Sequence, residues 1–199
     1  ALRGLWLQGV GNWGSIDGDA NAPGSASQGG GVMGGYERQV DDRLKLGGAV
    51  GFGRARSAED DGGGTTRIDS YRLAAYGSYE AGRFVVGATL GYAYDRFRQS
   101  RGILALGRSA SSSHDGSEIT GSIDVGYRLM AGKYSIAPFL SADFAHLYQD
   151  GFAESGAGAL DLTVGASRFD SLQPEAGVRV SRQFVTANGP TLLPELRLG

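Results

Sequence analysis

Apolar and polar positions alternate along most of the chain with a period of two residues. In the segment Arg43–Arg54, the even positions carry Leu44, Leu46, Val50 and Phe52, and the odd positions carry small or charged residues. Successive side chains of a β-strand point to opposite faces, so this period predicts strands with one apolar face. Nine strands are predicted: near Leu2–Trp13 and Gly29–Val40, then at Arg43–Arg54, Asp69–Glu80, Phe84–Tyr94, Gly121–Leu129, Tyr134–Phe144 and Leu172–Phe184, and a last one that begins near Thr191.

The connections between these strands alternate between short and long. The short ones carry hairpin-turn residues, and they are Val40–Arg43, Glu80–Arg83, Met130–Lys133 and Ala187–Pro190. The long ones are rich in Gly, Ser, Ala and Asp, and they are Gly14–Ser27, Ser57–Thr65, Gln99–His114 and Gln149–Arg168. In an up-and-down meander, successive connections lie at opposite ends, so all the long loops are expected on one side. Short turns on one side and longer loops on the other are typical of outer-membrane barrels.

The composition excludes several classes of protein. The 199 residues include 35 glycines without a collagen-like period, and 19 basic and 21 acidic residues give a net charge of −2 with no charged run. Such an even balance does not suggest a nucleic-acid partner, and the absence of cysteine excludes disulfides and thiolate metal sites. No apolar run approaches the ~18–20 residues of a transmembrane helix, but a transmembrane strand needs only about 9–11 residues.

The two faces of the predicted strands differ in the residues that they carry. One parity is polar with charges of both signs, which suits a wet lumen because Arg or Lys at the lipid midplane costs about 2–4 kcal/mol. The expected lumen-facing residues are Glu37, Lys45, Arg72, Asp124, Arg128, Asp143, Glu175, Arg179, Glu195 and Arg197. The other parity is apolar, with aromatic residues near both strand ends, as in the girdles of outer-membrane barrels. The expected girdle residues are Trp13, Tyr36, Phe52, Tyr71, Tyr79, Phe84, Tyr94, Tyr127, Tyr134, Phe144 and Phe184.

The motifs that would indicate catalysis or cofactor binding lack the context that the chemistry needs. Gly9–Gly14 matches the dinucleotide fingerprint, but no helix follows it. Ser111–Asp115 combines serine, histidine and an acid in one predicted loop, without the rigid scaffold of a catalytic triad. His114 and His146 have no obvious third metal ligand. The sequence therefore predicts no catalytic residue, no metal site and no cofactor.

Four segments carry a family resemblance. They are Leu5–Gly14 with the Asp/Gly-rich loop after it, Gly151–Leu162, Gly177–Ser181 and Pro194–Leu198. In this order and spacing they resemble the autotransporter β-domain, the translocator barrel of type V secretion. The resemblance implies an all-β, antiparallel up-and-down transmembrane β-barrel of about 12 strands in the outer membrane of a Gram-negative bacterium. About nine of those strands are visible here, so residues 1–199 are expected to form one incomplete barrel domain.

The resemblance also implies a function and partners. The barrel would anchor its protein in the lipid bilayer and support export of an N-terminal passenger, joined to it by a helix in the lumen. By the same resemblance, barrel-assembly machinery and periplasmic chaperones are expected to assist its insertion. Two alternatives stay open: a small porin-like or adhesin barrel, and the membrane anchor of a passenger enzyme such as an esterase or protease. In each case we expect no catalysis by the barrel itself, because function belongs to sites grafted on a fold.

Overall fold

The structure is a computed structural model that describes residues 3–19, 23–185, 191–192 and 194–199. Its long strands are β1 (Arg3–Ile16), β2 (Ser25–Gln39), β3 (Leu44–Glu59), β4 (Gly64–Ala81), β5 (Phe84–Ile103), β6 (Arg108–Tyr127), β8 (Tyr134–Gln149) and β11 (Ser167–Arg182). The short strands are β7 (Leu129–Ala131), β9 (Phe152–Ala153), β10 (Thr163–Val164), β12 (Phe184–Val185), β13 (Thr191–Leu192) and β14 (Glu195–Leu198). The described helices are single 3₁₀ turns at Asp60–Gly62, Leu104–Leu106 and Gly158–Leu160, and none could cross a membrane.

One antiparallel sheet contains all the long strands. Its order is β1-β2-β3-β4-β5-β6-β8-β11-β14, with β7 paired to β8 where β6 ends. From β1 to β11, every neighbour in space is also the next long strand in sequence, so the sheet is an up-and-down meander. This confirms the predicted fold class. Two small hairpins, β9 with β10 and β12 with β13, lie off this sheet.

The short connections form tight turns where the sequence predicts them. Gly82 and Gly132 adopt left-handed conformations, with φ of 63° and 61°, which an L side chain rarely adopts. In the first turn, Asp41 Oδ1 accepts hydrogen bonds from the backbone N–H groups of Arg43 and Leu44 at 2.7 and 2.8 Å. These two bonds lower the pKa of the Asp41 carboxyl. The fourth predicted turn, at 187–190, lies outside the described residues.

The strands continue well beyond the predicted ends on the other side of the sheet. Two predicted loops, Ser57–Thr65 and Gln99–His114, are wrong, because only residues 60–63 and 104–107 remain between the paired strands. β5 and β6 each contain 20 residues, about twice the length needed to cross a bilayer. The extensions carry polar residues on both faces, so the alternation that marks a half-buried strand disappears while the backbone pairing continues. The connection after β8 does stay long, at residues 150–166.

Candidate functional site on the polar face of the sheet

The strand registers divide the sheet into a polar and an apolar face. The polar face carries the odd positions of β2, β3, β5, β8, β11 and β14 and the even positions of β1, β4 and β6. Among the described sheet residues, the buried ones lie on this face, with Asp69 the exception: Ala49, Ser70, Ala93, Asp95, Phe97, Ala110, His114, Gly116, Gly126 and Phe139. Side chains shield one another on the inside of a curve, so we infer that the polar face is the concave one.

Several of the charges predicted to face the lumen are brought together as ion pairs. Arg179 forms a bidentate pair with Asp124, two strands away across β8, and Arg197 forms one with Glu175. The guanidinium groups of Arg179 and Arg197 each lie 4.3 Å from the ring centroid of Phe139. Such cation–π contacts and bidentate bonds fix both arginines in place. They gather the charges of β6, β11 and β14 into one cluster.

The remaining predicted charges are more dispersed. Lys45 Nζ lies 3.4 Å from Glu37 Oε1, and Arg128 Nη1 lies 3.7 Å from Glu80 Oε2 near the short turns. In the described part of the chain, Arg72, Asp143 and Glu195 form no ion pair. The polar face therefore combines neutralised charges with charges that remain available to water or to a bound chain.

Aromatic residues of the polar face fit over glycines of neighbouring strands. The indole of Trp6 covers Gly35, where an added Cβ would lie 2.5 Å from the ring, and Tyr76 covers Gly47 in the same way. Trp6 Nε1 donates a hydrogen bond to Tyr76 Oη at 2.6 Å, so β1 and β4 are joined across two strands that have no side chains at these positions.

A cluster at the long-loop end was not predicted from the sequence. The imidazole of His114 is stacked between Phe97 and Phe152, with ring centroids at 4.8 and 4.4 Å. Phe152 belongs to the loop 150–166, whose Glu154 also pairs with Arg101 of β5. Both Phe97 and His114 are polar-face residues, so the loop folds inward over that face. His114 is in β6 and not in a loop as predicted. No signal in the sequence relates it to a residue 38 positions away.

Burial and ion pairing shift the pKa values of two groups in this cluster. The clustered groups lie in the strand extensions, beyond the aromatic level of the sheet. Burial between the two phenyl rings lowers the pKa of His114, opposed by the nearby charges of Asp150 and Asp115. The Arg101 guanidinium lowers the pKa of the Glu154 carboxyl, helped by the backbone N–H of Leu162. Within the described residues, no group of three His, Cys, Asp or Glu side chains could hold a metal ion.

The apolar face exposes large hydrophobic side chains with aromatic residues toward its two ends. Leu73, Leu90 and Leu140 are about 60% exposed in mid-strand. Toward the long loops, Phe52 contacts Tyr71 at 5.3 Å between ring centroids, and toward the short turns, Phe84 contacts Tyr127 at 4.7 Å. All the predicted girdle residues that lie in the main sheet have this parity; Phe184 lies in the small hairpin outside it.

A meander that is polar inside, apolar outside and ringed with aromatic residues defines an outer-membrane β-barrel. The family model of the autotransporter beta-domain matches residues 5–199. The chain belongs to this family. Its fold is similar to the translocator domain of autotransporter NalP from Neisseria meningitidis, with a TM-score of 0.77 and 18% identity over 98% of this chain and 72% of that one. The beta domain of the Bordetella autotransporter BrkA gives a TM-score of 0.71 and 17% identity over 98% and 77%.

Curated relatives include enzymes much longer than this chain. Esterase EstA of Pseudomonas aeruginosa is 28% identical over 191 residues, which cover 91% of this chain and 29% of the esterase. An extracellular serine protease of Serratia marcescens is 26% identical over 197 residues, which cover 96% of this chain and 18% of the protease. The chain thus spans less than a third of the length of the relatives it matches.

Proposed function

We propose that this domain anchors its protein in the outer membrane and supports export of an N-terminal passenger to the cell surface. The concave polar face carries the proposal. A polypeptide in transit exposes polar groups that are costly to bury without partners, and this wall offers hydroxyl, amide and charged groups. The residues proposed to line the passage are those predicted from the sequence: Glu37, Lys45, Arg72, Asp124, Arg128, Asp143, Glu175, Arg179, Glu195 and Arg197.

The direction of β1 supports this role. Arg3 pairs with Arg38 beside the turn that follows β2, so β1 begins at the short-turn end of the sheet. A segment preceding β1, such as a lumen helix, would enter the barrel from that end and carry the passenger toward the long loops. With short turns in the periplasm, that direction is outward.

The enzyme names of the relatives suggest where any chemistry resides. We infer that residues 1–199 act as one barrel domain without catalysis of its own and that an esterase, protease or other activity would belong to the passenger. The proposed partners are the bilayer, the passenger with its lumen helix, and the barrel-assembly machinery with periplasmic chaperones.

Crosslinking during export tests the proposal. Thr89 and Leu90 are neighbours in mid-β5, on the polar and the apolar face respectively. In the full-length protein, Thr89→Cys should crosslink to a cysteine placed in the segment upstream of β1 while export is arrested. Leu90→Cys should not, because it faces lipid.

Two outcomes would contradict the proposal. One is crosslinking from Leu90→Cys instead of Thr89→Cys, which would reverse the two faces. The other is an upstream segment that stays in the periplasm while the barrel conducts ions across a planar bilayer, which would indicate a porin-like channel.

A further inference from the structure

Five arginines lie together on the apolar face at the long-loop ends of β3, β4 and β5. This arginine patch consists of Arg54, Arg56, Arg67, Arg96 and Arg98. Arg56 lies directly opposite Arg67, and Arg67 lies directly opposite Arg98. Three cationic side chains thus form a continuous row across three strands, with about 5 Å between neighbouring Cβ atoms.

The acids within reach do not neutralise this patch. Asp69 is shared, since its carboxylate lies 2.6 Å from Arg54 Nε and 3.4 Å from Arg98 Nη1. Asp115 lies 3.9 Å from Arg96 Nε. Arg56 and Arg67 form no ion pair with any described residue, although like charges directly opposite one another destabilise a sheet. The five arginines and two acids leave a net charge of about +3 on one small surface.

The patch lies just beyond the expected boundary of the hydrocarbon. Phe52 precedes Arg54 by two residues on β3, and Tyr94 precedes Arg96 by two residues on β5. Tyr71 of β4 lies between these two rings, so the three aromatic residues form one row across the same three strands. Aromatic rings of this kind lie at the lipid–water interface. With about 3.3 Å per residue and a strand tilt of about 40°, the row of Arg54, Asp69 and Arg96 lies about 5 Å above the rings. The row of Arg56, Arg67 and Arg98 lies about 10 Å above them. That is the depth of lipid headgroups.

The surface between the arginines also has the chemistry of an anion site. A shallow pocket of about 290 Å³ is lined by Arg67, Arg98, Thr65, Ser100 and Gln99. Guanidinium groups bind phosphate with two parallel hydrogen bonds, and hydroxyl groups can donate a further one. On β8 and β11, by contrast, His146 Nδ1 lies 2.6 Å from a carboxylate oxygen of Asp170.

We propose that the arginine patch binds the phosphate groups of the anionic glycolipid that forms the outer leaflet of the outer membrane. The row Arg56–Arg67–Arg98 supplies the charge, and the aromatic row beneath it lies against the first acyl-chain segments. The site goes beyond the export role and does not depend on it. It holds the long-loop end of β3–β5 at a fixed depth in the membrane.

Lipid binding by the full-length protein in detergent tests this assignment. The variant is Arg56→Gln with Arg67→Gln, and the matched control is Arg38→Gln with Arg182→Gln, on the same face at the short-turn end. The probes are lipopolysaccharide, the same lipopolysaccharide after removal of its phosphates, and inorganic phosphate alone. We expect the patch variant to bind intact lipopolysaccharide about tenfold more weakly, which corresponds to 1.4 kcal/mol, and the control to bind it normally.

The other two probes separate the contribution of the phosphate groups from that of the rest of the lipid. Dephosphorylated lipopolysaccharide should bind wild type as weakly as the intact lipid binds the patch variant. Equal binding of the two lipids would overturn the phosphate assignment, and tight binding of inorganic phosphate alone would overturn the lipid assignment. If the patch variant fails to assemble, the salt dependence of lipid binding by the wild type provides an independent test. Its affinity for the intact lipid should fall steeply between 0.1 and 1 M salt, where the screening length shortens from about 10 to about 3 Å, and an unchanged affinity would refute the proposal.

Discussion

The contact of Tyr76 with Gly47 predicts a large effect from adding a single methyl group. In Gly47→Ala, the new Cβ would lie 2.6 Å from the Cε2 and Oη atoms of Tyr76, closer than Cβ atoms are found in proteins. Backbone pairing between β3 and β4 fixes both residues in register, so the tyrosine ring must move. The hydrogen bond that its hydroxyl accepts from Trp6 is then lost.

Two unfavourable contributions and one favourable contribution determine how much stability Gly47→Ala loses. Overpacking a well-fitted site costs typically 1–3 kcal/mol, and the lost hydrogen bond adds about 0.5–1.5 kcal/mol. Replacing glycine in a strand returns about 0.5–1 kcal/mol through lower backbone entropy in the unfolded chain. The net loss should be about 0.5–4 kcal/mol, with a central value of about 2 kcal/mol.

Urea unfolding in detergent micelles, followed by tryptophan fluorescence, measures this loss. Gly87→Ala is the matched control, because Gly87 lies on the same face and an added Cβ meets nothing within 4 Å. It should leave stability unchanged or slightly raised. In the double variant Gly47→Ala with Tyr76→Ala the clash is absent, so its loss of stability should be clearly smaller than the sum of the losses in the two single variants. Equal stabilities of Gly47→Ala and Gly87→Ala would refute the argument that the tyrosine occupies the space over Gly47.

Three further predictions concern the two faces and the loop 150–166. Ile123→Arg, on the apolar face, should impair membrane assembly, because a lipid-facing Arg costs about 2–4 kcal/mol near the midplane, whereas Ser122→Arg on the polar face should assemble; the opposite result in outer-membrane fractionation would reverse the faces. The lowered pKa of His114 means that its stabilising effect is complete above the unfolded value of about 6.5 and is lost as the pH falls below it. Limited proteolysis of the loop should therefore accelerate from pH 7 to pH 5, and His114→Phe should abolish that change. Glu154→Gln should loosen the loop at pH 7 by weakening its contact with Arg101. Because Arg101 lowers the pKa of the Glu154 carboxyl, wild type should keep this contact throughout the interval from pH 7 to pH 5; identical cleavage rates in the variant and wild type at pH 7 would exclude this contact as a restraint.

The division into two faces was predictable from local sequence because it depends only on the period of two. Leu44, Leu46, Val50 and Phe52 lie on the apolar face for that reason, and the glycine turns at Gly82 and Gly132 were identified from residue type. The strand ends at the long-loop side were not predictable in the same way. From Ser111 to Asp115 every residue is polar, so the sequence shows no apolar stripe while the backbone pairing of β6 with β5 continues unbroken.

Contacts between distant segments depend on register, which the period of two does not specify. Arg56, Arg67 and Arg98 form a row only because the connections after β3 and β4 have the lengths that they do. Sliding β4 by two residues along β3 would leave every side chain on its own face and yet move Arg67 away from Arg56. An insertion of one residue would move a whole strand's apolar set to the wrong face. Membrane insertion therefore constrains which face each residue occupies, while the arginine row and the stack on His114 require the additional constraint of turn length. An insertion of two residues within β4, between Arg67 and Ile68, should thus leave the barrel able to assemble and move Arg67 out of line with Arg56 and Arg98.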